Sequence, residues 1–367
     1  MLLESLEVED FRNLRGSLTA SSGLNILVGR NGQGKTNWLE AIYLLSTTKS
    51  FKTAKPHEAI CFGKDLAIVR GRVEQSADIV RELQVGIQPN SKIISINGKK
   101  ETLHDYLGEL HAVVFNSDAV EIVRGHPDSR RRFLDEAIVS LHPPFVRTLS
   151  DYNRVIKQKN VLLQKTRDDE LPLQRIAEMM EPWNEQLITL ATRIYKARLR
   201  VVERLNEKLE NHLFANEVVS IRYLSTLEGK GDLSNYEALI AERLQLRVQA
   251  ESIAGHALIG PHRDDLEILF DGRDLRKFGS AGQQRSALLL LQLANIAVYN
   301  STIGEYPLFL LDDIDAELDY RRVGQLLEFL DGKTQTFVTT SKESFVEKFG
   351  SNATVFAVGN GQIKREN

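Results

Sequence analysis

The chain of 367 residues contains one cysteine, Cys61, so no internal disulfide can brace its fold. Its start, Met1-Leu2-Leu3-Glu4-Ser5, has neither the basic head nor the apolar core of a leader. Even the apolar Leu288 to Leu293 stretch is flanked by polar residues, which argues against a bilayer span. A cytoplasmic location without membrane contact is therefore expected. The net charge of -3 lacks the basic excess of many nucleic-acid binders, so any such surface must be a local patch. No repeat, low-complexity tract or Gly/Ser linker is present, which predicts lobes that hinge rather than swing freely. With 42% hydrophobic and 26% charged residues, the chain can fill one large domain or two moderate ones.

What is present is a set of three short segments far apart in the chain. Gly29-Arg30-Asn31-Gly32-Gln33-Gly34-Lys35-Thr36 follows an apolar strand pattern, Leu24 to Val28. It precedes a helical period through Trp38, Leu39, Ile42 and Leu45, the context of a phosphate-binding P-loop. Glycines let backbone N–H groups turn inward around phosphates, Lys35 offers a charge to the β and γ oxygens, and the Thr36 hydroxyl suits Mg²⁺. The second segment, Leu308-Phe309-Leu310-Leu311-Asp312-Asp313, reads as a buried parallel strand delivering two acids to its C-terminal edge. Asp312 is expected to hold the water shell of Mg²⁺ and Asp313 to act as general base on the attacking water. The third, Gly279-Ser280-Ala281-Gly282-Gln283, opens a long apolar helix predicted from about Gln283 to Val298. Its outward-facing N–H groups suit an anion, with Ser280, Gly282 and Gln283 as the candidate contacts. An ordinary capping serine would look similar.

The pattern along the chain is α/β. Residues 1 to about 115 read as strands around the P-loop helix, with Leu66 to Val73, Val80 to Ile87 and Lys92 to Ile96 as strands and Asn97-Gly98 as a turn. Residues 116–254 read as an inserted helical lobe, beginning near Pro127 and broken at Asp168-Asp169-Glu170. Residues 255–367 return to the α/β pattern through Gly260 to Asp264, Ile268 to Phe270, Thr336 to Thr340 and a closing strand Val355 to Val358. The P-loop and the Asp312 strand must therefore meet in one sheet, with the insertion folded out to the side.

In the insertion, Leu187, Leu190, Ile194, Ala197, Val201 and Leu205 form a seam, while Arg193, Lys196, Arg200 and Arg204 follow at 3,4,4 spacing beside it. Arg147, Arg154, Lys157 and Lys159 mark a second basic segment. These are candidate DNA contacts or simply solvated faces. Gly260-Pro261-His262-Arg263-Asp264-Asp265 lacks a second histidine at metal-ligand spacing and reads as a structural turn with an arginine–carboxylate network, or as a dimer-interface or nucleotide-sensing element. Thr340 ends a buried strand, where its hydroxyl either orients water or contacts the γ-phosphate, or simply packs.

Taken together, these segments resemble the RecF family of bacterial recombination and gap-repair ATPases nearly end to end. The resemblance is carried by Asp10-Phe11-Arg12-Asn13, Lys35-Thr36-Asn37, Ser50-Phe51-Lys52-Thr53, Gly125-His126-Pro127 and Arg130 to Asp135. It continues through Gly260 to Leu266, Gly282-Gln283-Gln284-Arg285, Asp312-Asp313 and Glu317-Leu318-Asp319. Asp315-Ala316 departs from the family, which usually has a small residue and a serine there, and Asn116-Ser117-Asp118 replaces a serine-proline-acid turn. Transporter ATPases lack the Gly260 to Leu266 block, and SMC tethers need far longer arms.

The resemblance implies an ABC-type P-loop ATPase head, a mixed sheet with an antiparallel β-subdomain, carrying the helical lobe as a short arm. It implies ATP and Mg²⁺ as ligands, with Arg12 and Asn13 reaching the phosphates. It also implies an ATP-dependent homodimer in which Ser280, Gly282 and Gln283 serve the γ-phosphate held by the partner. Slow, DNA-stimulated hydrolysis on gapped or duplex DNA, cooperation with RecR and RecO, and assistance in loading RecA complete the expectation.

Overall fold

The computed structural model describes residues 1–76, 79–168, 171–210 and 217–365. Its centre is a six-stranded sheet in the order Gln362–Arg365, Ala353–Gly359, Leu24–Val28, Thr336–Thr340, Leu308–Leu311, Ala112–Phe115. Only the first pairing is antiparallel. Leu308–Leu311 is buried throughout, and its side chains divide between the two faces with the two-residue period of a strand. Leu308 and Leu310 join the core around the P-loop helix Lys35–Thr47; Phe309 and Leu311 join the core around the helix Ala281–Ile303. That second helix is long and apolar enough to cross a bilayer by composition alone, yet 67% of its apolar window is buried within the protein. It is a core helix, and its Leu288 to Leu291 side chains pack under the sheet.

A second, antiparallel six-stranded sheet in the order Leu14–Thr19, Leu2–Phe11, Ala67–Ser76, Ile79–Ile87, Lys92–Ile96, Lys99–Lys100 covers the other side of the P-loop helix. Leu6, Val8, Val69, Leu83 and Val85 alternate inward from it. Asn97 and Gly98, with φ of 50° and 76°, make the expected tight turn. The strand around Val355 is the outermost parallel strand but does not close the sheet. It lies directly beside the P-loop strand, and the edge is the short Gln362–Arg365, whose polar sequence has no apolar period to announce it.

The insertion contains a hairpin of helices, Phe145–Asp168 and Leu173–Leu209; Asp169 and Glu170 of the expected break lie outside the described residues. Helix Leu173–Leu209 runs through Pro182 for 37 residues, about 55 Å at the usual rise. Its seam packs as the spacing requires, with Leu187, Ile194, Val201 and Leu205 buried. The insertion is not wholly helical. Val219–Leu224 pairs antiparallel with Asp265–Phe270, which pairs in turn with Arg273–Asp274. Gly260 to Asp264 is therefore a turn leading into a strand that begins at Asp265.

That turn fastens the lobe to the head. Asp265 takes a bidentate pair from Arg130 at 2.6 and 3.0 Å, on helix Pro127–Leu141, where Pro127 occupies the first turn. Arg198, on the long lobe helix, grips Asp135 at 2.8 and 3.0 Å and donates to the Pro261 carbonyl at 2.7 Å. Asp264, fully buried, accepts from Tyr223, the Thr226 hydroxyl and the Thr226 N–H. The His262 ring lies 2.6 Å from the Tyr152 hydroxyl, and burial lowers its pKa to about 4, so it is neutral at physiological pH. Of this block, Asp265 enters the expected arginine–carboxylate pairing, whereas Arg263 donates to the Ala257 carbonyl at 3.2 Å.

Lys159 is corrected: it is not part of a solvated basic face. Its ammonium is fully buried, 2.7 Å from Glu251 and 2.8 Å from the side-chain oxygen of Asn184, whereas Arg147, Arg154 and Lys157 are exposed. Truncating one partner of such a pair strands the other charge without water. Lys159→Met should cost about 3–5 kcal/mol in urea denaturation. The double variant Lys159→Met/Glu251→Gln, which keeps the acceptor for the Leu258 N–H, should recover most of that loss.

Candidate nucleotide site

The site forms where the P-loop strand ends. Gly29 follows Val28 so closely under the neighbouring strand that a Cβ there would lie 2.3 Å from the Val358 carbonyl oxygen. Gly34 caps the P-loop helix with φ of 104°, a left-handed conformation, and a Cβ there would meet Leu14 and the Asn13 amide at 3.0–3.2 Å. Between them the loop bends so that the Lys35 ammonium donates to the carbonyls of Gly29 at 2.8 Å and Arg30 at 3.2 Å. Its lysine stem is buried, which fixes a charge at the mouth of the helix N-terminus. Gln33 fastens the loop to the terminal hairpin: its side-chain oxygen accepts from the Asn360 N–H at 2.6 Å and its carbonyl from the Gly361 N–H at 2.8 Å.

Asp312 reaches this loop across 276 positions of sequence. The Thr36 hydroxyl donates to its Oδ1 at 2.9 Å, and the Thr339 hydroxyl donates to the same oxygen at 2.7 Å. Burial raises the pKa of Asp312, the two hydroxyl donors oppose that, and the neighbouring Asp313 adds to it. Asp313 sits at φ 46° and ψ 45°, a left-handed conformation unusual for a side chain with a Cβ. Its N–H donates to the Thr339 hydroxyl at 2.8 Å, so one threonine orients both acids. The Thr340 hydroxyl, next along the strand, is fully buried and accepts from the Lys342 N–H at 3.1 Å.

Arg12 and Asn13 lie close by with different attachments. The Arg12 guanidinium makes a bidentate pair with the buried Glu40 at 3.1 and 2.8 Å and donates to the Glu58 carbonyl. Asn13 accepts from the Asn37 amide at 2.7 Å, directly after Thr36. Asn37 in turn accepts from Lys52 at 2.8 Å, an amine whose pKa burial lowers and whose neighbours include Glu40 and Asp312. Lys52 was visible in sequence only as part of a resemblance. A cavity of about 720 Å³ opens beside Gly29, Arg30 and Gln33, toward Glu343, Glu347 and Asn360. Lys35, Thr36 and Asp312 do not line it, so it is not where this chemistry converges.

Over residues 2–364 the chain matches the family described as RecF/RecN/SMC N terminal domain. It is 34% identical to the DNA replication and repair protein RecF of Shouchella clausii, across all of both chains, and 35% identical to that of Geotalea uraniireducens, across 99% of this chain and 100% of the relative. The chain belongs to the RecF family. Its fold superposes on the recombination mediator protein RecF-ATP of the RecFOR pathway with a TM-score of 0.90 at 30% identity, covering 100% of this chain and 97% of that one. An SMC head domain from Pyrococcus yayanosii, at 16% identity and a TM-score of 0.51, shares the ATPase-head fold.

In this RecF-family head the third sequence segment stands apart from the other two. Ser280 caps helix Ala281–Ile303 in a reciprocal box with Gln283: its hydroxyl accepts from the Gln283 N–H at 3.2 Å, and its own N–H donates to the Gln283 side-chain oxygen at 2.9 Å. Among the described residues, no hydrogen bond joins Ser280, Gly282 or Gln283 to the chain's own P-loop. Arg285, one turn on, pairs with Glu317 at 2.7 Å and so ties the start of this helix to the turn after the two acids. Of the basic lobe residues, Arg193, Lys196, Arg200 and Arg204 are all exposed along one helix, and Arg204 reaches Thr302 at 3.5 Å.

Because burial raises its pKa, Asp312 binds its proton more tightly folded than unfolded. The charged form therefore subtracts stability as pH rises through the carboxylate range. Asp312→Asn removes that penalty while keeping an acceptor for both hydroxyls. Its unfolding free energy relative to the parent should climb as pH rises above the ordinary carboxylate range, measured by urea titration without nucleotide. Thr339→Val should instead lose about 1–3 kcal/mol, because it leaves the Asp313 N–H without its acceptor.

Proposed function

We propose that the protein is an ATP-dependent DNA clamp acting in the cytoplasm in replication-linked and recombinational repair. The reading rests above all on the joint position of Thr36 and Asp312, whose oxygens meet at 2.9 Å at the mouth of a P-loop helix. A hydroxyl and a carboxylate are the hard oxygen donors that Mg²⁺ takes, and a raised Asp312 pKa is the mark of a carboxylate whose charge a cation would relieve. In that place Mg²⁺ would neutralise charge on the phosphate oxygens. The residues from Gly29 to Lys35 would cradle the phosphates of ATP through their N–H groups, and Lys35 would add its fixed charge. Arg12 and Asn13 flank the same loop. Asp313 would take the proton of the attacking water, its backbone held by Thr339 so that the carboxylate meets the reaction already oriented.

The exposed cap of Ser280 and Gln283 supports head-to-tail pairing. A pre-formed helix start that is not bonded to its own P-loop would serve the γ-phosphate held by a second copy, together with Gly282. ATP would then be the glue of a homodimer, and hydrolysis would release it. The lobes, carrying Arg193, Lys196, Arg200 and Arg204, would straddle DNA and grip its phosphates without reading bases, so that binding weakens steeply with salt. The relatives' role in DNA replication and repair, and the RecFOR setting of the solved homologue, support action on gapped DNA and at stalled forks with RecR and RecO, ahead of RecA loading.

Steady-state ATP hydrolysis with no DNA, blunt duplex and gapped duplex at low salt tests the clamp: the rate should rise with DNA, and a rate indifferent to every DNA would remove the DNA-clamp reading. Ser280→Arg should bind ATP as a monomer and fail to pair in light scattering. Lys35→Ala should lose nucleotide binding, and Asp313→Asn should accumulate an ATP-bound dimer.

A further inference from the structure

The turn after the two acids carries a buried carboxylate, Asp315, that the proposed chemistry does not use. The Asp315 side chain is 3% exposed, a carboxylate taken out of water, and Lys342 pairs with it at 3.2 Å. The same ammonium donates to the Asp315 carbonyl oxygen at 3.0 Å. Lys342 belongs to the segment leaving strand Thr336–Thr340, and its own N–H is held by the Thr340 hydroxyl.

Three further contacts join these segments. Thr339 holds the Asp313 N–H and the Asp312 carboxylate, and the Tyr320 and Ser344 hydroxyls lie 2.9 Å apart. The P-loop meets the same strand end, since the Gly29 N–H donates to the Thr340 carbonyl at 3.3 Å. Between these clamps lies Asp313 in its left-handed conformation, a state that persists only where surrounding contacts over-determine it. From Asp313 onward the turn is short. The Ala316 N–H closes on the Asp313 carbonyl at 2.9 Å, so a shift of Asp315 is felt at Asp313 within one hydrogen-bonded turn.

We infer that the Asp315–Lys342 pair is a strap that positions Asp313 for hydrolysis, with Lys342 and Asp315 as positioning residues. This rests on the reading of Asp313 as general base. It works by restraining the turn that follows the αL residue: an ammonium within reach of both the carboxylate and the carbonyl of Asp315 limits the backbone and the side chain at that point. Arg285–Glu317 anchors the far end of the turn to helix Ala281–Ile303, while Thr339 holds Asp313 itself and Asp315–Lys342 holds the residues between.

The test is single-turnover and steady-state ATP hydrolysis by the full chain, with ATP affinity and thermal stability measured on the same preparations. Lys342→Met keeps the half-exposed stem and removes the ammonium. It should lower kcat by about ten-fold or more while ATP affinity stays within about three-fold, the pattern of a lost transition-state interaction. Lys342→Arg, which can bridge the same two oxygens, should restore most of kcat. Asp315→Asn should lower kcat similarly, and combining it with Lys342→Met should add little, because both remove one contact. Unchanged kcat in Lys342→Met would overturn the strap, as would a loss of kcat that tracks equal losses of ATP affinity and thermal stability without rescue by arginine. Asp313→Asn separates the two levels. If it is inactive while Lys342→Met turns over normally, only the strap fails; if Asp313→Asn itself turns over normally, the general-base reading falls and the strap with it.

Discussion

One carboxylate oxygen, Oδ1 of Asp312, accepts hydrogen bonds from Thr36 and from Thr339, and the fold is arranged so that these three residues meet. They come from three adjacent strand ends of a parallel sheet, where helices leave and backbone N–H groups point outward. Asp312 is buried enough that its charge is costly without those donors, so the acid and the two threonines depend on one another. The surrounding layers follow from this demand. The P-loop helix is held between the parallel sheet and the antiparallel sheet, and helix Ala281–Ile303 braces the opposite face, so the strand ends that carry the chemistry have little room to move.

The lobe is fastened to the head in two ways. Phe133, Leu134, Val201 and Leu205 share one apolar core with Ile26, Phe309 and Leu311, and the turn at Gly260 to Asp265 adds a polar network of Arg130, Arg198, Tyr152 and Tyr223 on carboxylates, carbonyls and a neutral histidine. Such networks are directional. They hold one arrangement firmly, because each donor finds its acceptor at one distance and angle only. The Lys159–Glu251 pair gives the lobe a fixed point of the same kind in its own interior.

Much of this was legible in the chain. The P-loop, the two acids after an apolar strand, the capping serine and the helical seam through Leu187 and Val201 each announce themselves by a local period or by spacing that chemistry requires. The misses share a cause. Thr339 and Thr340 are neighbours of the same type, and only the register of Thr336–Thr340 against Leu308–Leu311 decides which hydroxyl faces Asp312. Lys159 resembles Lys157 in sequence, and only the packing of Glu251 against it shows that it is buried. The final strand Gln362–Arg365 has no apolar face to signal it, because it sits at an edge and pairs mainly through its backbone.

Sequence by itself determined the chemistry on offer: which side chains can hold phosphate, metal and proton, and which elements would carry them, because those follow from residue type and from periods of two and 3.6. Tertiary structure decided the pairings. Asp312 with Thr36 across 276 positions, Arg12 with Glu40 rather than the open loop, Arg285 with Glu317 and Lys342 with Asp315 all join residues that no local rule relates. The physical reason is that an ion pair or buried hydrogen bond is chosen by what else has been removed from water at that spot, and the neighbours present there are supplied by strand order and helix packing.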